Sequence, residues 1–342
     1  MATYTPILRW KRGERVALQK LSPAAKIDTV PLVVILPDQY VGRAETPLRP
    51  AMSAAEAFAS EFLSCWGTAP FFLDASALSA GLTAQHPLIS IATAARNVGL
   101  QLIPASKLGA PTLYRNAIAA VTALDGRGAG LRVDLQEFTT AAHWVSAMIV
   151  PPTQTHLIAD FAENVGMVSV LGQTIVAIFN SLHLASSWLS VTVAGCSLPE
   201  NYTGYAAGQH LIQRAEWHLW QTLQAGVTYP IQYGDYATVP PSSPPPGIRW
   251  GFPINVKYTL DSQFLVCRGV KTTGPGGVDM DIQLRNHALS IRAFIPRHPL
   301  GHCWADPKID RIVLVPESPG NLETWVQIGV NRHIEKVRAD LP

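Results

Sequence analysis

The chain reads as an α/β protein, a (β/α)8 barrel of the TIM type. Three observations predict it. About eight apolar runs of strand length recur along the sequence, and longer stretches of helical composition separate them. The runs are rich in Val, Ile and Leu, as expected where both faces of a sheet are covered. The intervening stretches supply the dozen or more residues that a crossover between parallel strands requires.

In chain order the strand candidates are Thr5–Lys11, Thr29–Leu36, Pro70–Ser76, Leu100–Ser106, Gly128–Leu135, Thr155–Phe161, Trp188–Gly195 and Pro230–Tyr236. Helices are expected over Gly13–Leu21, Ser53–Trp66, His86–Val98, Thr112–Leu124, Leu135–Ser146, Val165–Leu182 and Tyr205–Gln224. Beyond the eighth strand the cadence breaks. Pro240–Gly247 (PPSSPPPG) suits a surface loop, since proline neither donates to a sheet nor continues a helix. Ile248–Tyr258 and Phe264–Val270 read as a hairpin, followed by a turn rich in glycine. Asp279–Phe294 is expected as the eighth barrel helix, delayed by that hairpin. From Asn321 onward, Leu322, Trp325, Val326, Val330, His333, Ile334 and Val337 follow the rhythm of an amphipathic helix. The expectation is one domain over 1–342, with a loop and hairpin insertion at 240–275 and a strand and helix extension at 300–342.

Composition permits a substantial core: 48% of residues are hydrophobic and 15% charged. A net charge of +2, with no basic block beyond Arg9–Arg12, argues against a nucleic-acid groove. The four cysteines are scattered without CxxC spacing, which suits a reducing cytoplasm better than a disulfide framework. The N-terminus lacks the pattern of a secretion signal. The most apolar helix candidate, Val165–Phe179, falls short of the roughly 18 residues of a membrane span. A cytoplasmic protein without membrane contact is expected.

Alternation along a strand places residues two apart on one face. In Gly130–Leu135 the apolar set is Leu131, Val133 and Leu135, which leaves Arg132 and Asp134 pointing inward. The same parity turns Asp74, Asp160, Ser190 and Thr192 inward. Arg9 and Lys11 share a face with Ile7, and Tyr233 and Asp235 share one with Ile231. A structural barrel is filled by branched apolar side chains, and buried charges are costly unless they pair or bind something. One reading is therefore a set of internal ion pairs. The other is a polar pocket at the C-terminal mouth, with carboxylates as bases or metal ligands and cations as anion clamps.

Other conspicuous motifs carry less. Asp125-Gly126-Arg127-Gly128 precedes the fifth strand, at the N-terminal rim, where a stabilising role is expected. His298, His302, Cys303 and Asp306 have a metal-like spacing, but Pro299 and Gly301 oppose a helix that would align them. His333 lies on the apolar stripe of the last helix, and Trp217-His218-Leu219-Trp220 reads as packing. There is no GxSxG or HExxH pattern.

Several clusters together resemble the phage "beta protein" family, which also occurs in bacterial genomes. They begin with Tyr4-x-Pro6-x-Leu8-x-x-Lys11-x-x-Glu14-x-x-Ala17-Leu18, then Pro31-Leu32 and Trp66-Gly67. Pro70-Phe71-Phe72-x-Asp74, Ile103-Pro104, Asp125-Gly126-Arg127-Gly128 and Leu131-Arg132 continue the likeness. So do Tyr233-Gly234-Asp235-Tyr236, Ile248-Arg249, Arg268-Gly269, Gly320-Asn321, Trp325 and His333. Two departures stand out: Cys303-Trp304-Ala305-Asp306 replaces a Trp-Gly-Asp, and Asn331-Arg332-His333 keeps the second of two successive histidines. The resemblance implies a phage or mobile-element setting and no particular reaction. It also admits His333 to the barrel mouth, beside Asp235, Tyr236 and the hairpin arginines.

The combined expectation is a phosphate-bearing ligand, bound and hydrolysed at the mouth. Asp74, Asp160 and Asp235 would act as bases or hold a divalent metal. Lys11, Glu14, Arg132, Asp134, Tyr233, Tyr236, Arg249, Arg268 and His333 would contact the ligand. The alternative is a non-catalytic barrel that captures a small anion or a protein partner.

Overall fold

The computed structural model describes residues 3–41, 52–82, 84–140, 145–185, 187–242, 253–314 and 317–342. Eight parallel strands close into a barrel in chain order. They are β1 (Tyr4–Arg9), β2 (Leu32–Val34), β3 (Phe71–Asp74), β4 (Leu102–Lys107), β5 (Ala129–Val133), β6 (Thr155–Asp160), β7 (Ser190–Gly195) and β9 (Gln232–Asp235). β9 closes the ring by pairing with both β7 and β1. Each predicted strand is thus a barrel stave.

Strand parity divides the apolar residues into two layers. Ile7, Leu32, Phe72, Ile103, Ile158 and Ala194 form the inner filling. Leu8, Val33, Leu73, Leu131, Leu157 and Val193 face outward and pack against helices in the main core. The ring of helices comprises α1 (Arg12–Gln19), α2 (Pro23–Lys26), α3 (Pro37–Val41), α4 (Ala54–Trp66), α5 (Leu88–Asn97), α6 (Thr112–Asp125), α7 (Leu135–Thr139), α8 (Val165–Ser169), α9 (Gln173–Ala185) and α10 (Ala215–Gly226). α4 starts at a capping box, in which Ser53 and Glu56 satisfy each other's backbone amides. Its Phe62 stacks on Trp10 at 4.9 Å and on Phe71 of β3 at 3.8 Å. That aromatic wedge fixes α4 to the barrel wall.

A second core lies beyond the barrel. β10 (Asn255–Thr259) and β11 (Gln263–Arg268) form the predicted hairpin, and β8 (Gly208–Gln213) adds a third antiparallel strand. One face of this sheet, with Leu265, Cys267, Val256 and Tyr258, packs on α11 (Met280–Ala293), α12 (Ala305–Leu314) and α13 (Leu322–Asp340). The other face sends Phe264 and Val266 into the cluster that fills the barrel.

Four expectations are corrected. Tyr205–Gln224 is not one helix but strand β8 followed by α10, because Gly208–Gln213 pairs along β11 and the Arg214 amide bonds to Ser262. Val165–Leu182 is broken at Gly172, whose φ is 50°, and the helix direction bends by 116° across the break. Asp279–Phe294 is helical but belongs to the second core. The eighth helical place is taken by α13, whose Val330, Ile334 and Val337 join the barrel core. Where a strand was expected in 300–342, Ala305, Ile309 and Ile312 instead form the buried stripe of α12. The predicted residues 141–144 and 243–252, Arg249 included, lie outside the described residues.

Among the described residues no single helix is long and apolar enough to cross a membrane. α8 and α9 pass such a test only as a bent pair, and their Val165, Val168, Ile175 and Phe179 are buried in the barrel core. All four cysteines are free and buried.

The assignment of α13 to the barrel is testable by urea unfolding. Ile334→Ala, at a fully buried position, should cost about 2–5 kcal/mol, whereas Ile295→Ala, 94% exposed, should stay within about 0.5 kcal/mol. Equal effects would place the helix elsewhere.

Candidate functional site

Arg132 is the centre of the mouth. It sits on the inner face of β5, 5% exposed, where a lone cation would be strongly destabilising. Its Nη1 donates to Asp74 of β3 at 2.8 Å and its Nη2 to Asp160 of β6 at 2.6 Å. Nη2 also donates to the Tyr236 hydroxyl at 3.0 Å, and that hydroxyl donates to Asp160 at 2.6 Å. Only the barrel interior brings these strands within such reach. Burial works against the Arg132 charge, but Tyr236, Asp160 and Asp74 outweigh it and hold the guanidinium protonated.

Asp74, Asp160 and Asp235 share a local device. Each Oδ1 accepts the amide two residues on: Ser76 at 3.0 Å, Ala162 at 3.2 Å and Ala237 at 2.9 Å. The aspartates thereby end their strands in tight turns. Ala162 and Ala237 adopt φ of 44° and 48°, a left-handed conformation that L residues avoid.

Above Arg132 opens a cleft of about 500 Å³. Arg9, Glu14, Lys107 and Glu163 line it together with Asp74, Tyr236 and Arg132. Glu14 is in the first turn of α1, 2% exposed, and accepts the Arg9 amide at 3.0 Å. Burial pushes its carboxyl up to about 7, against the lowering effect of the Arg9 and Lys11 amides and charges. Lys107 ends β4, is exposed, and has no ion pair among the described residues. The Arg9 guanidinium donates to the Pro240 carbonyl at 3.0 Å. Cations and carboxylates nearly balance here.

The predicted site residues therefore separate. Asp74, Asp160, Arg132, Glu14 and Tyr236 come together at the mouth. Asp235 does not: the outer face of β9 carries it beside Tyr233, away from the filling. It accepts the Tyr4 hydroxyl at 2.7 Å and contacts His333 Nε2 at 2.6 Å, while His333 Nδ1 meets the Thr259 hydroxyl at 2.9 Å. This Thr–His–Asp line joins hairpin, C-terminal helix and barrel, with Thr259 and His333 both fully buried, and it lines neither the mouth cleft nor the hairpin cleft. Burial lowers the His333 pKa despite the Asp235 carboxylate. Burial also works to raise the Asp235 carboxyl, but His333, Arg214 and Tyr4 overcome it and hold it below the ordinary range. Tyr233 stacks on Tyr4 at 5.7 Å and accepts from Arg214 at 3.3 Å, a packing position.

Asp134 is not inward. β5 ends at Val133, and Asp134 is the exposed N-cap of α7, accepting the Glu137 amide at 2.9 Å. Lys11 is exposed just before α1 and lines neither cleft. Arg268 lines a second cleft on the hairpin. Arg249 lies outside the described residues. Lys107 and Glu163 were not expected. Lys107 was legible: extending the parity of Ala105 by two residues reaches it.

No three His, Cys, Asp or Glu side chains group as a metal site among the described residues. Arg132 stands between Asp74 and Asp160 in the place a metal would take. Asp306 is occupied by the Tyr258 hydroxyl at 2.7 Å, the Leu300 amide at 2.7 Å and Arg297 at 3.3 Å. The Asp125–Gly128 turn lies at the N-terminal rim as expected, where Asp125 holds Arg96 at 2.6 Å.

Three outcomes follow from this geometry. Arg132→Met leaves two carboxylates buried without their cation and should cost about 3–5 kcal/mol in urea unfolding. Ala162→Gly should gain about 1 kcal/mol by relieving the left-handed alanine. Glu14 titrates near 7 when folded and near 4.5 when unfolded, so the unfolded chain holds fewer protons between those values. Stability therefore falls as pH rises through that window, by about 3 kcal/mol at most. Glu14→Gln removes this loss, so its advantage over the parent should grow from pH 4.5 to 7 in urea unfolding. A flat difference would show that Glu14 is not held protonated.

Curated proteins give no match to the chain. The family model described as Beta protein matches residues 4–339, nearly the whole length, and the chain belongs to that family.

Proposed function

We propose that the mouth cleft binds a small phosphate-bearing ligand and that Glu14 exchanges a proton with it. The observation that carries this reading is a buried carboxyl pushed up to about 7 in a cleft of about 500 Å³ that is also lined by Lys107, which has no ion pair among the described residues. A carboxyl in that range can both take and return a proton at neutral pH. Lys107 and Arg9 suit the anionic group, while Glu14 and Glu163 suit hydroxyl or amine donors on the rest of the ligand.

Hydrolysis of a phosphoester fits the same placement. Water attacks phosphorus and gives its proton to Glu14, the ester oxygen leaves, and Glu14 returns the proton to it. Asp74 and Asp160 are poorer candidates for this step, since Arg132, Tyr236 and backbone amides already occupy their oxygens. The same pairing favours a second reading, a non-catalytic barrel that holds a ligand or partner in a phage or defence setting.

Calorimetric titration with ATP, and p-nitrophenol release from p-nitrophenyl phosphate and bis(p-nitrophenyl) phosphate, separate the two. Lys107→Ala should weaken ATP binding about tenfold, the loss of one charge-assisted contact. Glu14→Gln should keep binding and lose turnover. Binding without p-nitrophenol release at any pH favours the non-catalytic barrel, and the absence of both binding and release overturns the phosphate-ligand reading.

A further inference from the structure

A second cleft, of about 520 Å³, shares Val239 with the first but is built from different elements. Its walls are the loop at Glu200–Thr203 after β7, the edge of β10 with the end of β11, and the start of α13 at Leu322 and Trp325. Asn255 and Arg268 are cross-strand partners, and Lys257 lies two residues along, so all three side chains issue from one sheet face.

The polar groups of this cleft are under-used. The Lys257 ammonium donates to the Thr238 carbonyl at 2.8 Å and has no carboxylate partner among the described residues. Arg268 likewise enters no ion pair among the described residues, and it is half-buried. The Tyr202 hydroxyl and the Asn255 Oδ1 are buried with no hydrogen-bond partner, and Tyr202 is 5% exposed. A buried polar atom left unpaired costs about 1–3 kcal/mol, so two of them around one cavity call for an occupant. One carboxylate, the exposed Glu200, stands among these cations. The mouth cleft differs in this respect, because there carboxylates match the cations. Burial lowers the Lys257 pKa to about 8, with Arg9 adding to the effect and Cys196 opposing it, the state expected of a cation lacking its counter-ion.

We propose that this second cleft is a binding site for a small oxyanion, carboxylate or phosphate, clamped between Lys257 and Arg268 with hydrogen bonds from Tyr202 and to Asn255. A donor on the ligand, such as a hydroxyl, satisfies Asn255 Oδ1 while the Tyr202 hydroxyl donates to the anion. The site is independent of the proton exchange assigned to Glu14.

Competitive labelling of lysines with trace acetic anhydride, read by mass spectrometry at fixed ionic strength, tests it in the whole chain. The probes are pyrophosphate and citrate, with chloride as control. Lys257 should be labelled increasingly as pH passes about 8, and a probe should protect it saturably. Arg268→Gln should raise the half-protecting concentration at least tenfold, and Tyr202→Phe, a milder change, severalfold. Lys107→Ala should leave it unchanged, which separates this site from the mouth. The stronger of the two probes identifies phosphate or carboxylate as the ligand class. Absence of saturable protection by either probe overturns the proposal. So does protection indifferent to both Arg268→Gln and Tyr202→Phe, or protection lost in Lys107→Ala.

Discussion

The barrel mouth depends on one buried cation. Arg132 reaches from β5 to Asp74 on β3 and Asp160 on β6, with Tyr236 just past β9 closing the set. A barrel of this size is normally filled at its mouth by branched side chains. Here the filling stops at Phe72, Ile103 and Ile158, and a hydrogen-bonded layer takes over. An ion pair in such a place contributes little net stability against an apolar filling, but it does not tolerate the loss of a partner. The layer therefore specifies position more than it stabilises. It makes the floor polar in the cleft that Glu14 and Lys107 also line.

The turns after three strands belong to the same constraint. Asp74, Asp160 and Asp235 each cap their own turn through an amide two residues on. Two of them reach inward to Arg132, and the third reaches outward to Tyr4 and His333. One local device thus serves opposite faces. A carboxylate at a strand end is first a chain terminator, and its remaining lone pairs decide what else it does. Asp160-Phe161-Ala162 and Asp235-Tyr236-Ala237 even share a pattern, with a left-handed alanine in each.

This explains what was legible in the sequence and what was not. The eight staves were, because Val, Ile and Leu runs buried on both faces are a strong local signal. The inward turn of Arg132 was legible too, from the apolar parity of Leu131 and Val133, and that of Asp74 and Asp160 from the same parity on their own strands. Asp134 escaped because parity holds only while the strand lasts, and the strand ends one residue earlier. Asp235 shares its face with apolar Ile231 and Tyr233, and the rule that turns Leu131 and Val133 to the helices turns that face outward too. β8 is a different case. Its residues alternate only weakly in burial, and the pairing that makes it a strand lies with β11, some fifty residues further on. No local pattern could reveal a partner so distant. The eighth helix was misplaced for the same reason, since Ile334 and Leu284 carry equal apolar signals and only the tertiary contacts assign them to different cores.

The C-terminal helix links these layers. His333 ties α13 to the Asp235 turn and, through Thr259, to the hairpin, with Phe264 stacked on its ring at 5.5 Å. The Asp235 turn leads directly into Thr238 and Val239, the segment against which both clefts are built. Thr238 also accepts the Lys257 ammonium, and Gly329 of α13 packs so closely that a Cβ there would fall 2.8 Å from the Thr238 hydroxyl. The wall common to both clefts is thus held from behind by a helix more than eighty residues further along the chain. A ligand that pressed on that wall from either side would be working against the same buried Asp–His–Thr line. Sealed from solvent, that line is suited to fixing the wall in place rather than to chemistry of its own.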